Sequence, residues 1–178
     1  MVARNIEIKA RIDSVEALLP LAQSLADGPP QTIQQDDTFF ACTHGRLKLR
    51  DFGDGHGELI HYQRLDAAGP KVSDYVRVPA SDPAALREAL TRACGTLGRV
   101  RKTRQLLLAG QTRIHLDRVE RLGDFLELEV VLREGQTEHE GEAIAEALMS
   151  KLGVGAAQCL AGAYLDLVAA KAPTEGCL

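Results

Sequence analysis

The sequence predicts an α+β domain of roughly eight antiparallel strands with helices among and after them, an arrangement able to close into an eight-stranded antiparallel β-barrel with flanking helices. Three observations lead there. Period-two alternation of apolar and polar residues recurs in short segments along the chain, the mark of strands whose side chains point to opposite faces in turn. Most of these segments are joined by short turns bearing Gly, Asp or Pro, which implies antiparallel pairing. Helical spacing appears only between some of them and at the end, so the strand–helix rhythm of a parallel sheet is missing. Eight antiparallel strands can close on themselves, which removes exposed edges and encloses an interior.

The first strand is Asn5–Arg11, with Ile6, Ile8 and Ala10 on one face and Asn5, Glu7, Lys9 and Arg11 on the other. Ser14–Leu25 has helical spacing with Ser14 as N-cap; Pro20 kinks or shortens it, and Asp27-Gly28-Pro29-Pro30 stops it. Strands follow at about Asp36–Cys42, Arg46–Phe52, Glu58–Arg64 and Lys71–Val78, with loops at 51–57 and 66–70. A second helix is expected over Asp82–Cys94, with Ser81 or Asp82 capping and Pro83 in its first turn. Strands at Arg99–Leu108, Thr112–Val119 and Asp124–Arg133 are joined by turns at Gly110 and Gly123. The end turns helical, about Glu138–Leu152 and then Ala157–Ala170. The 178 residues read as a single domain, 1–178, with its helical C-terminal part at about 138–170.

Composition narrows the function classes. A net charge of −4 and only three Tyr, four Phe and no Trp argue against nucleic acid as a partner. No apolar run approaches the roughly 18 residues of a membrane span, so no membrane partner is expected. Met1 to Asn5 runs directly into the first strand, which reads as a cytoplasmic chain without a secretory leader. Cys42, Cys94, Cys159 and Cys177 are scattered and form no ligand pair, so they read as reduced thiols, Cys42 and Cys94 as packing residues.

The polar strand faces carry the chemistry. Arg46, Lys48 and Arg50 share one face, Lys71, Ser73, Tyr75 and Arg77 another; Lys102 and Arg104 alternate, as do Arg113, His115 and Asp117. Glu127 and Glu129 stand together opposite Leu126, Leu128 and Val130. Solvated faces of an ordinary sheet would explain any one strand. Taken together, however, the middle strands are nearly all Lys and Arg, whereas solvent faces mix signs because stacked like charges repel. Carboxylates concentrate on the first and last strands. These faces therefore read as pointing inward, towards a polyanion, with the carboxylates holding a hard divalent ion. His115 reads as a structural hydrogen-bonding residue or a general base, and Tyr62 and Tyr75 as wall residues or nucleobase contacts. His44 and His56 fall in loops and face solvent.

In this order, N-I-E-I-K-A-R (5–11), D-D-T-F-F (36–40), G-R-L-K-L-R (45–50), G-P-K-V-S-D-Y (69–75), V-R-K-T-R (100–104), T-R-I-H-L-D (112–117), L-G-D-F-L-E-L-E-V (122–130) and Y-L-D-L (164–167) resemble the CYTH family, the triphosphate tunnel metalloenzymes. That family includes class IV adenylyl cyclases, thiamine triphosphatases and inorganic triphosphatases. The resemblance implies a barrel forming a tunnel in which basic residues grip a triphosphate. By position it makes Glu7, Glu127 and Glu129 metal carboxylates and catalytic residues, with Mg2+ or Mn2+ as cofactor. It makes Lys9, Arg11, Lys48, Arg50, Arg64, Lys71, Lys102, Arg104 and Arg113 phosphate ligands, Lys9 also catalytic. Asp117 then ligands a metal or orients an Arg, and Arg46 and Arg77 are placed inside by strand parity alone. One position departs from the family's E-x-E-x-K strand: Asn5 stands where the first Glu belongs, which puts two-metal catalysis in question.

The implied activity is adenylyl cyclase-like, converting ATP to cyclic AMP and pyrophosphate. The alternatives are hydrolysis of tripolyphosphate or thiamine triphosphate, and a non-catalytic module that binds nucleotide or polyphosphate. A homodimer is allowed by the resemblance alone.

Overall fold

Period-two sequences need partners on both edges, and closure of the sheet supplies them. The computed structural model describes residues 3–64 and 70–171, the side chains of Ala3, Arg64, Lys71 and Lys171 excepted. The loop expected at 66–70, apart from Pro70, and Cys177 lie outside the described residues. In chain order the elements are β1 (Ala3–Arg11), α1 (Val15–Leu25), β2 (Gln31–Phe40), β3 (Arg46–Asp51), β4 (Gly57–Arg64), β5 (Lys71–Ala80), α2 (Pro83–Cys94), β6 (Thr96–Ala109), β7 (Thr112–Val119), β8 (Gly123–Val131), α3 (Glu138–Lys151) and α4 (Tyr164–Lys171). The strands close into a barrel in the order β1-β5-β4-β3-β2-β6-β7-β8, each pairing antiparallel.

The apolar strand faces point outward, under the helices. Ile8, Ala10, Leu107, Ile114, Leu116, Leu126 and Leu128 pack with Val15 and Ala22 of α1 and Met149 of α3. Helix α2 covers Phe40, Leu49 and Ala80 with Leu86 and Leu90. The caps follow local chemistry: the Ser14 hydroxyl accepts from the Ala17 amide, and Thr137 with Glu140 forms a capping box. Helix α3 lies so close to the barrel that a Cβ at Gly141 would sit 2.6 Å from both Ile6 and Leu132. At one barrel end the filling is apolar, with Phe39, Val100, Val119, Leu122 and Phe125 clustered around Tyr164 of α4.

Several elements depart from the sequence expectation. Strand β2 begins at Gln31, because Gln31–Gln35 pair with β6 although they carry no apolar alternation. Pro20 does not break α1, which runs unbroken from Val15 to Leu25. The last expected helix is split: a 3-10 turn at Ala156–Gln158 is followed by a bridge between Cys159 and Ala10, and α4 starts only at Tyr164. Cys42 is exposed, not packed, with its thiol near the carbonyls of His44 and Gly45.

Candidate functional site

The inward faces form a polar tunnel. On β1, Asn5, Glu7 and Lys9 are all buried, at 2%, 8% and 3% exposure. The β1–β8 register sets Glu7 directly across from Glu129 and Lys9 across from Glu127. Lys9 Nζ lies 3.7 Å from Glu127 Oε1 and 3.8 Å from the centroid of the Tyr164 ring. Two carboxylates facing each other across neighbouring strands repel unless a cation lies between or beside them.

The basic wall is organised by two aspartates. Asp37 of β2 accepts from Lys48 Nζ at 2.8 Å and from Arg50 Nε and Nη2 at 2.8 and 2.9 Å. Asp117 of β7, at 0% exposure, accepts from Lys102 Nζ at 2.8 Å, from Arg104 Nε and Nη2 at 2.6 Å each, and from the Tyr164 hydroxyl at 3.0 Å. Each aspartate thus pins one Lys and one Arg from an adjacent strand. With its oxygens taken in this way, Asp117 orients Arg104 and Lys102. Arg104 reaches on to Glu127 Oε2 at 2.7 Å. Arg113 lies 3.1 Å from Glu129 Oε2 and donates to the Tyr75 hydroxyl at 3.3 Å.

These contacts set the protonation states. Burial alone would raise the Asp37 and Asp117 carboxyls, but Arg50 with Lys48, and Arg104 with Lys102, hold both well below the usual range. Glu127 is likewise held well down, chiefly by Lys9 acting against burial. Lys102 is pushed down to about 7 by burial and by the like charge of Arg104, with Asp117 opposing. Burial and Arg104 push His115 below its ordinary value, and burial pushes the Tyr164 phenol well up, with Asp117 second.

Of the residues singled out in the sequence, Glu7, Lys9, Lys48, Arg50, Lys102, Arg104, Arg113, Glu127 and Glu129 line one cavity. Arg77 joins them, 3.8 Å from Glu58, and so do Tyr62, Tyr75 and His115. Arg11 does not: it shares the strand parity but stands exposed at the barrel end, stacked over Phe125 and donating to the Leu122 carbonyl at 3.0 Å. Arg46 is drawn to Asp166 of α4 at 3.0 Å. The side chains of Arg64 and Lys71 lie outside the described residues. Sequence reasoning missed Asp37 and Tyr164 as site residues, although both fall in segments that carried the resemblance. Two adjacent aspartates cannot both face inward, and Asp36 pairs outside with Arg101 at 3.2 Å.

The donor chemistry fits a divalent cation. Asn5 Oδ1 is buried in this wall with no hydrogen-bond partner, Glu7 faces Glu129, and ligand atoms of His115, Glu127 and Glu129 lie within 4.8 Å of one another. Among the described residues no helix is long and apolar enough to cross a membrane.

The CYTH domain model matches residues 3–164. No match was found among curated proteins. Among solved structures, the PH1012 protein of Pyrococcus horikoshii superposes with a TM-score of 0.81 at 23% identity, over 92% of this chain and 98% of that one. A candidate adenylate cyclase of Vibrio parahaemolyticus gives 0.76 at 15% identity, over 93% and 97% of the two chains. The Hippeastrum protein HpAC1, a candidate adenylyl cyclase described as having a dominant triphosphatase activity, gives 0.67 at 18% identity, over 97% and 100%. At these identities the likeness is one of fold, but the family model spans the barrel and both aspartate clamps: the chain belongs to the CYTH domain family.

Proposed function

We propose that the chain is a divalent-metal-dependent enzyme that acts on a triphosphate group held inside the barrel, as an adenylyl cyclase or as a triphosphatase. The observation that carries this reading is the pair of aspartate clamps, which hold Lys48, Arg50, Lys102 and Arg104 fixed and aimed into one lumen. Cations locked by second partners lose little freedom on meeting an anion, so the tunnel is preorganised for phosphate oxygens. Lys9 and Arg113 extend the same wall, and we assign Arg64 and Lys71 to it by family position.

Glu7, Glu127 and Glu129 would hold Mg2+ or Mn2+, which supplies charge neutralisation at the phosphoryl oxygens and aligns the reacting group. Asn5 adds an uncharged oxygen where the family pattern has a carboxylate, which favours one firmly held ion over two. The basic side chains bind and orient the phosphates, and the closed wall keeps bulk water from them.

The cyclase reading is supported by Ile33, Phe52, Leu106 and Tyr75, which line the same cavity and offer apolar and aromatic surface to a nucleoside. The triphosphatase reading draws on the likeness to HpAC1 and needs no nucleoside contact. The test is a panel of ATP, GTP, tripolyphosphate and thiamine triphosphate with Mg2+ and Mn2+, products identified. Cyclic AMP with pyrophosphate supports the cyclase, and orthophosphate from tripolyphosphate supports the hydrolase. Binding without turnover of any of the four would overturn the enzymatic reading and leave a polyphosphate-binding module.

A further inference from the structure

We propose that His115 is a direct nitrogen ligand of the tunnel cation, making a mixed imidazole–carboxylate site that takes Mn2+ or Co2+ in preference to Mg2+. The inference rests on the metal reading above and goes beyond it in naming the donor that sets ion preference.

The β7–β8 register places His115 directly across from Glu127, with Glu129 two positions along the same inward face. The imidazole is 3% exposed. Its Nδ1 has no hydrogen-bond partner, the nearest carboxylate oxygen being Glu127 Oε2 at 3.6 Å, and its Nε2 lies 4.0 Å from Glu129 Oε2. A buried ring nitrogen left unpaired beside a carboxylate, as Nδ1 is beside Glu127, is costly unless something occupies the space between them. A cation bound at about 2.1 Å to each donor sets neighbouring donors roughly 3–3.5 Å apart. The observed 3.6 Å between Nδ1 and Glu127 Oε2 needs only a small side-chain adjustment to reach that spacing, and one ligand atom from each of His115, Glu127 and Glu129 already lies within 4.8 Å of the others. An ordinary core histidine would instead donate to a backbone carbonyl or a carboxylate within hydrogen-bond reach.

The nitrogen decides the preference. Mg2+ takes oxygen donors in near-ideal octahedra and dehydrates reluctantly, whereas first-row transition ions accept imidazole readily. Glu127 and Glu129 would serve either kind of ion, so His115 is the donor that separates them.

The test loads the full chain with less than one equivalent of Mn2+ and reads the electron spin echo modulation of the bound ion. A directly bound imidazole gives 14N modulation, and growing the protein with 15N-histidine replaces it by the 15N pattern, with no substitution needed. His115→Gln should abolish the modulation and weaken Mn2+ binding by about tenfold or more, comparable to losses from disturbing metal-site histidines. Mg2+ affinity should change less than twofold. Mn2+ bound to the wild-type chain without nitrogen modulation would overturn the proposal, as would equal losses for both ions. If that Mn2+ is released by Glu129→Gln, the carboxylate site and the proposed function stand and only the His115 role falls. A chain that binds neither Mn2+ nor tripolyphosphate sinks both. Should His115→Gln fail to fold, the isotope comparison on the wild-type chain decides alone.

Discussion

Replacing Asp117 by Asn removes the charge on which one half of the basic wall is built. The carboxylate is wholly buried and receives two bonds from Arg104, one from Lys102 and one from the Tyr164 hydroxyl. The amide keeps an acceptor for one of these donors, but it turns an NH2 group towards cations and leaves Lys102 without its ion-pair partner. Breaking a buried pair by removing one member costs about 3–5 kcal/mol. Because Asn is nearly isosteric and Arg104 retains Glu127, the lower end is expected, about 3 kcal/mol. For a chain of this size each kcal/mol moves the midpoint by about 2–4 °C, so Tm should fall by roughly 6–12 °C. Thermal unfolding followed by circular dichroism near neutral pH measures it. The pH dependence carries a sign. Asp117 is depressed in the folded state, so its contribution is present above the ordinary carboxylate range and is lost as the pH falls through its folded value. The gap between wild type and variant should therefore close only in strong acid. A Tm loss below about 2 °C would mean that these cations are solvated and that the clamp does not exist.

Lys102 gives a second pH test. Its folded pKa of about 7 lies below that of an unfolded lysine, so between these values the unfolded chain binds the extra proton and stability rises with pH. Wild type should gain on Lys102→Met across about pH 7–10, by up to about 1.4 kcal/mol per pH unit, and parallel urea-unfolding curves would refute the assignment. Glu129→Gln should abolish metal-dependent turnover of whichever panel substrate is used; intact metal-stimulated activity would remove Glu129 from the metal set. Gly141→Ala should cost about 1–3 kcal/mol by overpacking against Ile6 and Leu132, read from urea unfolding, and a neutral result would mean that α3 can back away from the barrel.

Parity made most of the site legible. Once a strand alternates, its side chains sort to two faces, and the concentration of Lys and Arg on one face of successive strands identified the lumen before any register was known. Parity says nothing about depth along the barrel axis, and so Arg11 was grouped with Lys9 although it stands past the tunnel, over Phe125. Asp37 was hidden for a different reason: it sits beside Asp36 in a strand whose first half is glutamine-rich, with no apolar alternation to tell its two faces apart. Asp117 was read as a metal ligand or as a residue orienting an Arg, and Asp37 was given no role, whereas both accept hydrogen bonds from a Lys and an Arg of the neighbouring strand. That distinction depends on which residue faces which across strands, information carried by register and absent from any one segment. Helix ends set by caps were read well, but the break before Tyr164 follows from the bridge of Cys159 to Ala10, a tertiary contact.

The place of β1 between β5 and β8 also shapes how the chain is made. One edge of β1 finds β5 once residues 71–75 exist, but the other waits for residues 125–131. During synthesis at about 5–20 residues per second, that edge stays open for roughly 3–10 s. An open strand edge invites pairing with another chain, and inward-pointing charge is one of the devices that discourage it. Glu7 and Lys9 lie on that edge strand throughout the wait. The charges that furnish the finished tunnel therefore also guard the unfinished sheet, and substitutions that neutralise them put soluble yield at risk before catalysis is ever measured.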